Sequence, residues 1–300
     1  NSRIKVYKRF SLCHQRLAIL DLNKRADQPF LFENIEILFN GEIYNYKYLR
    51  AELIKLGYSF FTYTDTEILA IGIYHFGKNF LKRIDGMFSI LWVDHTLKKI
   101  FMSSDPFGIK KLYYFSYKDI FIVSSELLTT KDIVLKYGLP LEKNENNLDY
   151  FLSYLSLPYS ETPFKRIKTI SEGDLLSLEL RNNNKFYSQN IEKSFISKLI
   201  NGYGNHSHID LLNQILDESY QSDVDQAILL SGGIDSTNLA LSSKTSKTNL
   251  KGYCINTNLK NDGFSDDISY AKIVSNKESI PLEIIYNNSK ITLSDVEETL

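Results

Sequence analysis

The sequence predicts two unlike domains in series: an α+β layered sandwich over residues 1–190, then the start of an α/β domain with a parallel sheet over residues 205–300. Three observations predict this. Short apolar runs joined by turns of a few residues fill the first half, which implies antiparallel pairing. Some of these runs are apolar on both faces, as in Phe88-Ser89-Ile90-Leu91-Trp92-Val93, so their sheet needs cover on both sides. Late in the chain, strand, helix and strand follow one another at the separation of a βαβ unit.

In chain order, strands are predicted at Leu17–Leu22, Ile35–Phe39, Met87–Asp94, Ile100–Ser103, Leu112–Tyr117 and Ile120–Ser124. Two helices interrupt them. Tyr48–Leu56 carries Leu49, Leu53 and Leu56 on one face with Gly57 past its end, and Glu67–Phe76 is introduced by Thr64-Asp65-Thr66-Glu67. A helix near Asp149–Tyr154, Pro158 and Pro163, and strand-like runs at Asp174–Leu180 and Lys185–Tyr187 lead out of this domain. Asn201-Gly202-Tyr203-Gly204-Asn205 is the best linker. From His208 a helix carries Leu211, Leu212, Ile215 and Leu216 at helical spacing.

With 43% hydrophobic residues and a formal net charge of −1 over 300 residues, the chain has ample core, and nothing in its charge calls for nucleic acid or an anionic membrane. Cys13 and Cys254 make neither a disulfide framework nor a zinc pattern, which points to a reducing, cytoplasmic setting. No run is long and apolar enough to cross a bilayer. Cys13 reads as a small buried apolar residue. The five histidines, His206 and His208 included, lack a partner cluster for a metal.

The strongest chemical signal is Ala227-Ile228-Leu229-Leu230-Ser231-Gly232-Gly233-Ile234-Asp235-Ser236: an apolar strand running into glycines, hydroxyls and a carboxylate, then a helix through Thr237–Leu241. Glycines bring backbone N–H groups close to an anion, and the helix N-terminus adds partial positive charge. No lysine follows the second glycine, so this is not a Walker A loop. A Ser/Gly turn that merely caps a helix is the plainer alternative. In the phosphate reading, Ser231, Ser236 and the N–H groups of Gly232 and Gly233 hold pyrophosphate oxygens and Asp235 holds Mg²⁺. A second apolar run at Gly252–Asn256 ends on the same side of the sheet.

Phe39-Asn40-Gly41-Glu42-Ile43-Tyr44-Asn45 is ambiguous alone, since Asn-Gly between apolar runs is also the strongest short hairpin signal. Together with His14-Gln15-Arg16-Leu17-Ala18-Ile19-Leu20-Asp21, Thr64-Asp65-Thr66-Glu67, Asp85-Gly86-Met87-Phe88, Asp105-Pro106-Phe107-Gly108-Ile109-Lys110 and Ser124-Ser125-Glu126, it resembles the glutaminase domain of glutamine-dependent asparagine synthetases, with the SGGIDS loop following where that family has it. The loop itself resembles the signature of the PP-loop ATP pyrophosphatases.

The resemblance implies an amidotransferase of the N-terminal-nucleophile type joined to a PP-loop synthetase domain. Glutamine, aspartate and ATP are the implied substrates, with Mg²⁺, and a homodimer is the assembly considered. Arg16 would pair with the glutamine carboxylate, a bidentate task suited to a guanidinium, and Glu42 and Asp65 would take its α-amino group. The Asn40 side chain and the Gly41 N–H would form the oxyanion hole, and Asn40 would also contact glutamine. Leu230 and Ile255 would contact adenosine. The plainer alternatives are a solvated strand residue for Arg16 and a first-turn carboxylate for Asp65.

The family's nucleophilic cysteine, first in its mature chain, is absent here, and Cys13 inside a strand has no free α-amino group to replace it. The chain is therefore expected to be a fragment that does not hydrolyse glutamine, cut also at its far end, where Ser294-Asp295-Val296-Glu297 reads as a helix start. Ser104 and Lys111 stand where the family has arginine and proline, which puts the rigidity of the first domain in doubt. Related amidotransferases act on other acceptors such as sugar acids, and a non-catalytic remnant is the reading of another class.

Overall fold

A computed structural model describes residues 2–158, 160–179, 189–196, 207–219, 222–242, 250–256 and 267–286. The chain divides into two compact units, residues 1–202 and 203–300. The expected strand at Lys185–Tyr187, the linker at 201–205 and the helix start at 294–297 lie outside the described residues.

The first unit is built on strands β1 (Ser2–Val6), β2 (Ser11–Gln15), β3 (Phe30–Phe32), β4 (Ile35–Ile43), β5 (Gly86–Asp94), β6 (Lys99–Ser104), β7 (Tyr113–Tyr117), β8 (Ile120–Ser124), β9 (Ile167–Thr169), β10 (Leu175–Glu179) and β11 (Asn190–Glu192). Its helices are α1 (Tyr46–Lys55), α2 (Asp65–Phe76), α3 (Leu127–Lys136) and α4 (Glu145–Tyr154). A six-stranded antiparallel sheet runs β11-β10-β6-β5-β4-β3, and a three-stranded antiparallel sheet runs β8-β7-β9.

Strand alternation builds the layers. Ile35, Ile37 and Phe39 of β4 and Phe88, Ile90 and Trp92 of β5 face α1 and α2, burying Leu49, Leu53, Ile68, Leu69 and Ile71. Leu91 and Val93, one residue out of phase, join Met102, Leu176 and Leu178 against Tyr114, Phe121 and Val123 of the smaller sheet. That sheet's other face packs Phe115 and Ile167 against Val134 of α3. Helix, sheet, sheet and helix is the layered sandwich expected, buried on both faces.

Two expectations fail here. Leu17–Leu22 is not a strand, because the Arg16 guanidinium donates to the carbonyls of Leu20 (2.6 Å), Asp21 (2.9 Å) and Asn23 (3.4 Å), the acceptors a neighbouring strand would have used. The strand lies just before it, at β2, paired with β1. Cys13 is exposed, not buried, because it falls on the outer side of this two-stranded ribbon. The ribbon is tied to the main sheet by Glu36, whose buried carboxylate accepts from Lys5 Nζ (2.6 Å), Tyr7 Oη (2.6 Å) and His95 Nε2 (3.0 Å). Burial raises the pKa of Glu36, but these three donors overcome it and hold the carboxyl below its ordinary value.

The second unit is a βαβ-type layer: α5 (His208–Ser219), β12 (Ala227–Leu229), α6 (Ile234–Ser242), β13 (Lys251–Asn256), α7 (Asp267–Glu278) and β14 (Leu282–Tyr286). The strands form a parallel sheet in the order β12-β13-β14. Ile228, Leu230, Ala240, Cys254 and Ala271 make its core.

Candidate functional site

In the first unit the site grows from the far half of β4. Asn40-Gly41 is not a turn; both residues sit mid-strand, opposite Ser89 and Phe88 of β5. The Gly41 φ is +153°, and a Cβ there would lie 2.1 Å from the Met87 carbonyl oxygen, so only glycine fits. In an antiparallel ladder, both backbone groups of a residue point to the same side. Those of Phe88 point to β6: its carbonyl accepts from the Asp105 N–H (2.8 Å) and its N–H donates to Asp105 Oδ2 (3.2 Å). Gly41, directly opposite, therefore points its N–H the other way, out of the β4–β5 ladder and past the end of β3, which pairs only as far as Ile37.

The neighbours of the same parity confirm that direction. The Phe39 N–H donates to Gln28 Oε1 (2.6 Å) and the Ile43 N–H to Asp65 Oδ2 (3.3 Å). Gly41 lies between two strand N–H groups that side chains have taken up.

Asp65 opens α2, whose N-cap Thr64 accepts from the Glu67 N–H (3.3 Å). The Glu67 carboxylate in turn accepts from the N–H groups of Phe61 (2.8 Å) and Thr62 (2.6 Å). Burial pushes the Asp65 pKa up to about 7, opposed by the Ile43 N–H and aided by the charge of Glu42. Glu42, half-buried, is also raised by burial, with the Lys110 ammonium offsetting part of the shift. Two adjacent carboxyls, each reluctant to ionise, form a place where a bound cation is favoured.

Lys110 rides on the Asp105 turn. The fully buried Asp105 carboxylate accepts from the N–H groups of Phe107 (2.9 Å), Ile109 (3.1 Å) and Lys110 (3.1 Å) besides Phe88. Buried Ser104 donates to the Ser171 carbonyl (3.1 Å), and Lys111 Nζ reaches Glu172 Oε1 (3.1 Å). The turn is thus fastened although arginine and proline are replaced.

Arg16 is neither solvated nor in a strand. Its side chain is 7% exposed and 3.7 Å from Asp27 Oδ1. Among the described residues no hydrogen bond or ion pair joins it to Asn40, Gly41, Glu42 or Asp65. Asn40, Gly41, Glu42 and Asp65 are thus brought together, with Arg16 linked to them through its neighbour His14, whose Nε2 meets the Phe39 carbonyl (3.2 Å). Sequence reasoning passed over Gln28, whose signal was only its place before Pro29, and also missed β3, which follows it.

In the second unit the loop after β12 is held by its own hydroxyls. Ser236 Oγ donates to the Gly233 carbonyl (3.2 Å), Ser231 Oγ lies 3.1 Å from Ser236 Oγ, and the Gly233 N–H donates to Ser231 Oγ (3.3 Å). Gly232, at φ +78°, presses on α7: a Cβ there would lie 2.4 Å from the Tyr270 Cβ. The first turn of α6 leaves N–H groups facing the loop, an arrangement suited to an anion. Asp235 is exposed in that turn. Leu230 is 1% exposed, so its backbone is what it can offer a ligand, whereas Ile255, at the carboxyl end of β13, is half exposed.

Among the described residues no group of three or more His, Cys, Asp or Glu side chains gathers at a metal position. One exposed carboxylate beside a loop of hydroxyls and N–H groups fits Mg²⁺ that takes its remaining ligands from phosphates and water. Among those residues, too, no helix is long and apolar enough to cross a membrane.

Residues 1–189 match the glutamine amidotransferase domain model, and residues 209–298 match that of asparagine synthase. A putative glutamine-hydrolysing asparagine synthetase of Mycobacterium tuberculosis is 28% identical over 85% of this chain and 41% of its own length. Glutamine-hydrolysing asparagine synthetase 2 of Bacillus subtilis is 35% identical over 75% of this chain and 31% of its own. A solved B. subtilis glutamine phosphoribosylpyrophosphate amidotransferase overlaps with a TM-score of 0.43 at 18% identity, covering 97% of this chain and 56% of that one. The chain spans about two fifths of the length of the first of these relatives. Carrying both domains in that order, the chain belongs to the asparagine synthetase family of glutamine amidotransferases.

Proposed function

We propose that the protein is part of an ATP-dependent ligase that amidates aspartate to asparagine with nitrogen drawn from glutamine. In this reading residues 1–190 are the glutaminase and 205–300 the ATP-binding part of the synthetase. The observation that carries it is the uncovered stretch of β4, where the Gly41 N–H points out of the sheet between side-chain-capped neighbours and beside the Glu42–Asp65 pair.

In the glutaminase, Glu42 and Asp65 hold the α-ammonium of glutamine, and Arg16 turns part of its guanidinium to the carboxylate. The Gly41 N–H and Asn40 amide meet the oxyanion as the carboxamide carbon becomes tetrahedral. The attacking thiolate comes from neither Cys13, exposed on β2, nor Cys254, buried in the other unit.

In the synthetase, the aspartate side-chain carboxylate attacks the α-phosphorus of ATP and pyrophosphate leaves; ammonia then displaces AMP. Ser231, Ser236, the Gly232 and Gly233 N–H groups and the start of α6 hold the leaving phosphates, while the Leu230 backbone and the Ile255 side chain border the adenosine. Asp235 would hold the Mg²⁺ that neutralises phosphate charge. The chemistry suits a cytoplasmic enzyme.

The test is pyrophosphate release by the full-length protein with Mg-ATP, aspartate and ammonium. Release with formation of asparagine is expected. Release with a sugar acid and not with aspartate would change the acceptor, and silence with every acid would overturn the ligase reading.

A further inference from the structure

Gly41 and Asn40 can serve a developing oxyanion only if the strand that carries them keeps its path, and β4 has lost its neighbour there. Among the described residues no strand pairs with its open side beyond Ile37. Side chains hold it instead, at Ile43 through Asp65 and at Phe39 through two residues at once. The Phe39 N–H is taken by Gln28 Oε1 at 2.6 Å, and the Phe39 carbonyl is met by His14 Nε2 at 3.2 Å. A carbonyl only accepts, so Nε2 carries the proton. Gln28, 4% exposed, passes the constraint on: its Nε2 donates to Thr66 Oγ1 (3.3 Å), next to Asp65 at the start of α2.

We propose that Gln28 and His14 act as a clamp on Phe39 that positions the Asn40-Gly41 pair for glutamine hydrolysis. Both are positioning residues, acting through the backbone of Phe39, and the assignment rests on the glutaminase reading given above. Gln28 spans from the strand to the helix, so it also sets the distance between the Gly41 N–H and the Asp65 carboxyl, that is, between the reacting end and the amino end of one substrate. His14 links the same peptide to the segment bearing Arg16, two residues on. The Phe39 carbonyl fixes the tautomer; Nδ1 is buried and among the described residues has no hydrogen-bond partner, and burial holds the imidazole pKa below its ordinary value, favouring the neutral ring. The groups facing that ring are Arg16, which disfavours its protonation, and Asp27, which favours it.

The experiment uses the full-length protein carrying Gln28→Met, Gln28→Glu or His14→Leu. Interactions made only in the transition state lower kcat, whereas uniform binding shows in KM. Gln28→Met is expected to lower kcat for glutamine hydrolysis by about 10- to 100-fold with KM for glutamine within about threefold, the scale of a misplaced oxyanion donor. Gln28→Glu, which keeps the acceptor for Phe39, should recover part of it. Pyrophosphate release supported by ammonium, a reaction of the other unit, is the internal control and should not move. Amide hydrogen exchange across residues 39–43 should quicken in Gln28→Met and His14→Leu. Unchanged exchange in both variants overturns the clamp whatever the enzyme does. Equal loss of glutamine- and ammonium-supported activity, or a rise in KM alone, overturns its positioning role. A wild-type protein inert toward glutamine defeats the glutaminase reading instead, and the exchange result still decides whether the clamp exists.

Discussion

Asp65 is the residue whose chemistry the sequence named and whose strength only the structure supplies. Its place before a helix was legible in Thr64-Asp65-Thr66-Glu67, but that pattern fits an ordinary first-turn carboxylate equally well. The pattern does not encode its burial beside Glu42, which lifts its pKa to about 7. In the proposed glutaminase the ionised form accepts the α-ammonium, so glutamine should bind more tightly as pH rises from about 6 to about 8. Asp65→Asn should flatten that profile and raise KM for glutamine by about tenfold to a hundredfold, the worth of a hydrogen bond to a charged group. Because the folded pKa lies above the unfolded value, this carboxyl costs stability as pH climbs from about 4 to about 7. The same variant should therefore gain more in Tm at pH 8 than at pH 5, and calorimetry at the two values checks it. Arg16 shows the opposite limit: residue type suggested a ligand contact, while the carbonyls of Leu20 and Asp21 that engage it lie in a loop whose path no periodicity encodes.

At the scale of elements, the long strands and helices were readable because their apolar pattern is strong. β5 and β6 stand within a residue of the apolar runs that predicted them, β4 starts at Ile35 as expected but runs four residues past Phe39, and α1 and α2 fall within two residues of expectation. The short or polar pieces were not. β1 and β2 form an exposed ribbon with little apolar signal, and α7, rich in polar residues, earns its place by packing on Gly232 rather than by periodicity. Asn40-Gly41 misleads for a physical reason: the same conformational freedom that favours a hairpin lets β4 approach β5 closely enough to exclude a Cβ. Gly41→Ala should then cost about 3 kcal/mol or more, since backbone on the facing strand must move. A urea denaturation series on the first unit's transition measures it, and a cost near zero would mean that the β4–β5 spacing is loose.

For the molecule as a whole, order along the chain was the most legible property: the amidotransferase match ends before the asparagine synthase match begins, and each motif lies inside its own unit. Division of labour makes a sharp prediction. Gly232→Ala, whose added Cβ runs into the Tyr270 backbone and side chain, should abolish ATP-dependent pyrophosphate release while glutamine hydrolysis stays within about twofold. Parallel assays on one preparation compare them, and joint loss would show that the first unit depends on an intact phosphate loop.

The uncovered side of β4 also bears on edge-to-edge association. A strand edge with unpaired N–H groups is a template for the edge of another molecule, and natural sheets blunt such edges. Here Gln28 and Asp65 do so by standing in for a missing strand at Phe39 and Ile43, leaving a one-residue gap at Gly41 too narrow for a foreign strand to register against. Losing either side chain would widen that gap into a longer run of open N–H groups, the kind of edge on which another strand can register.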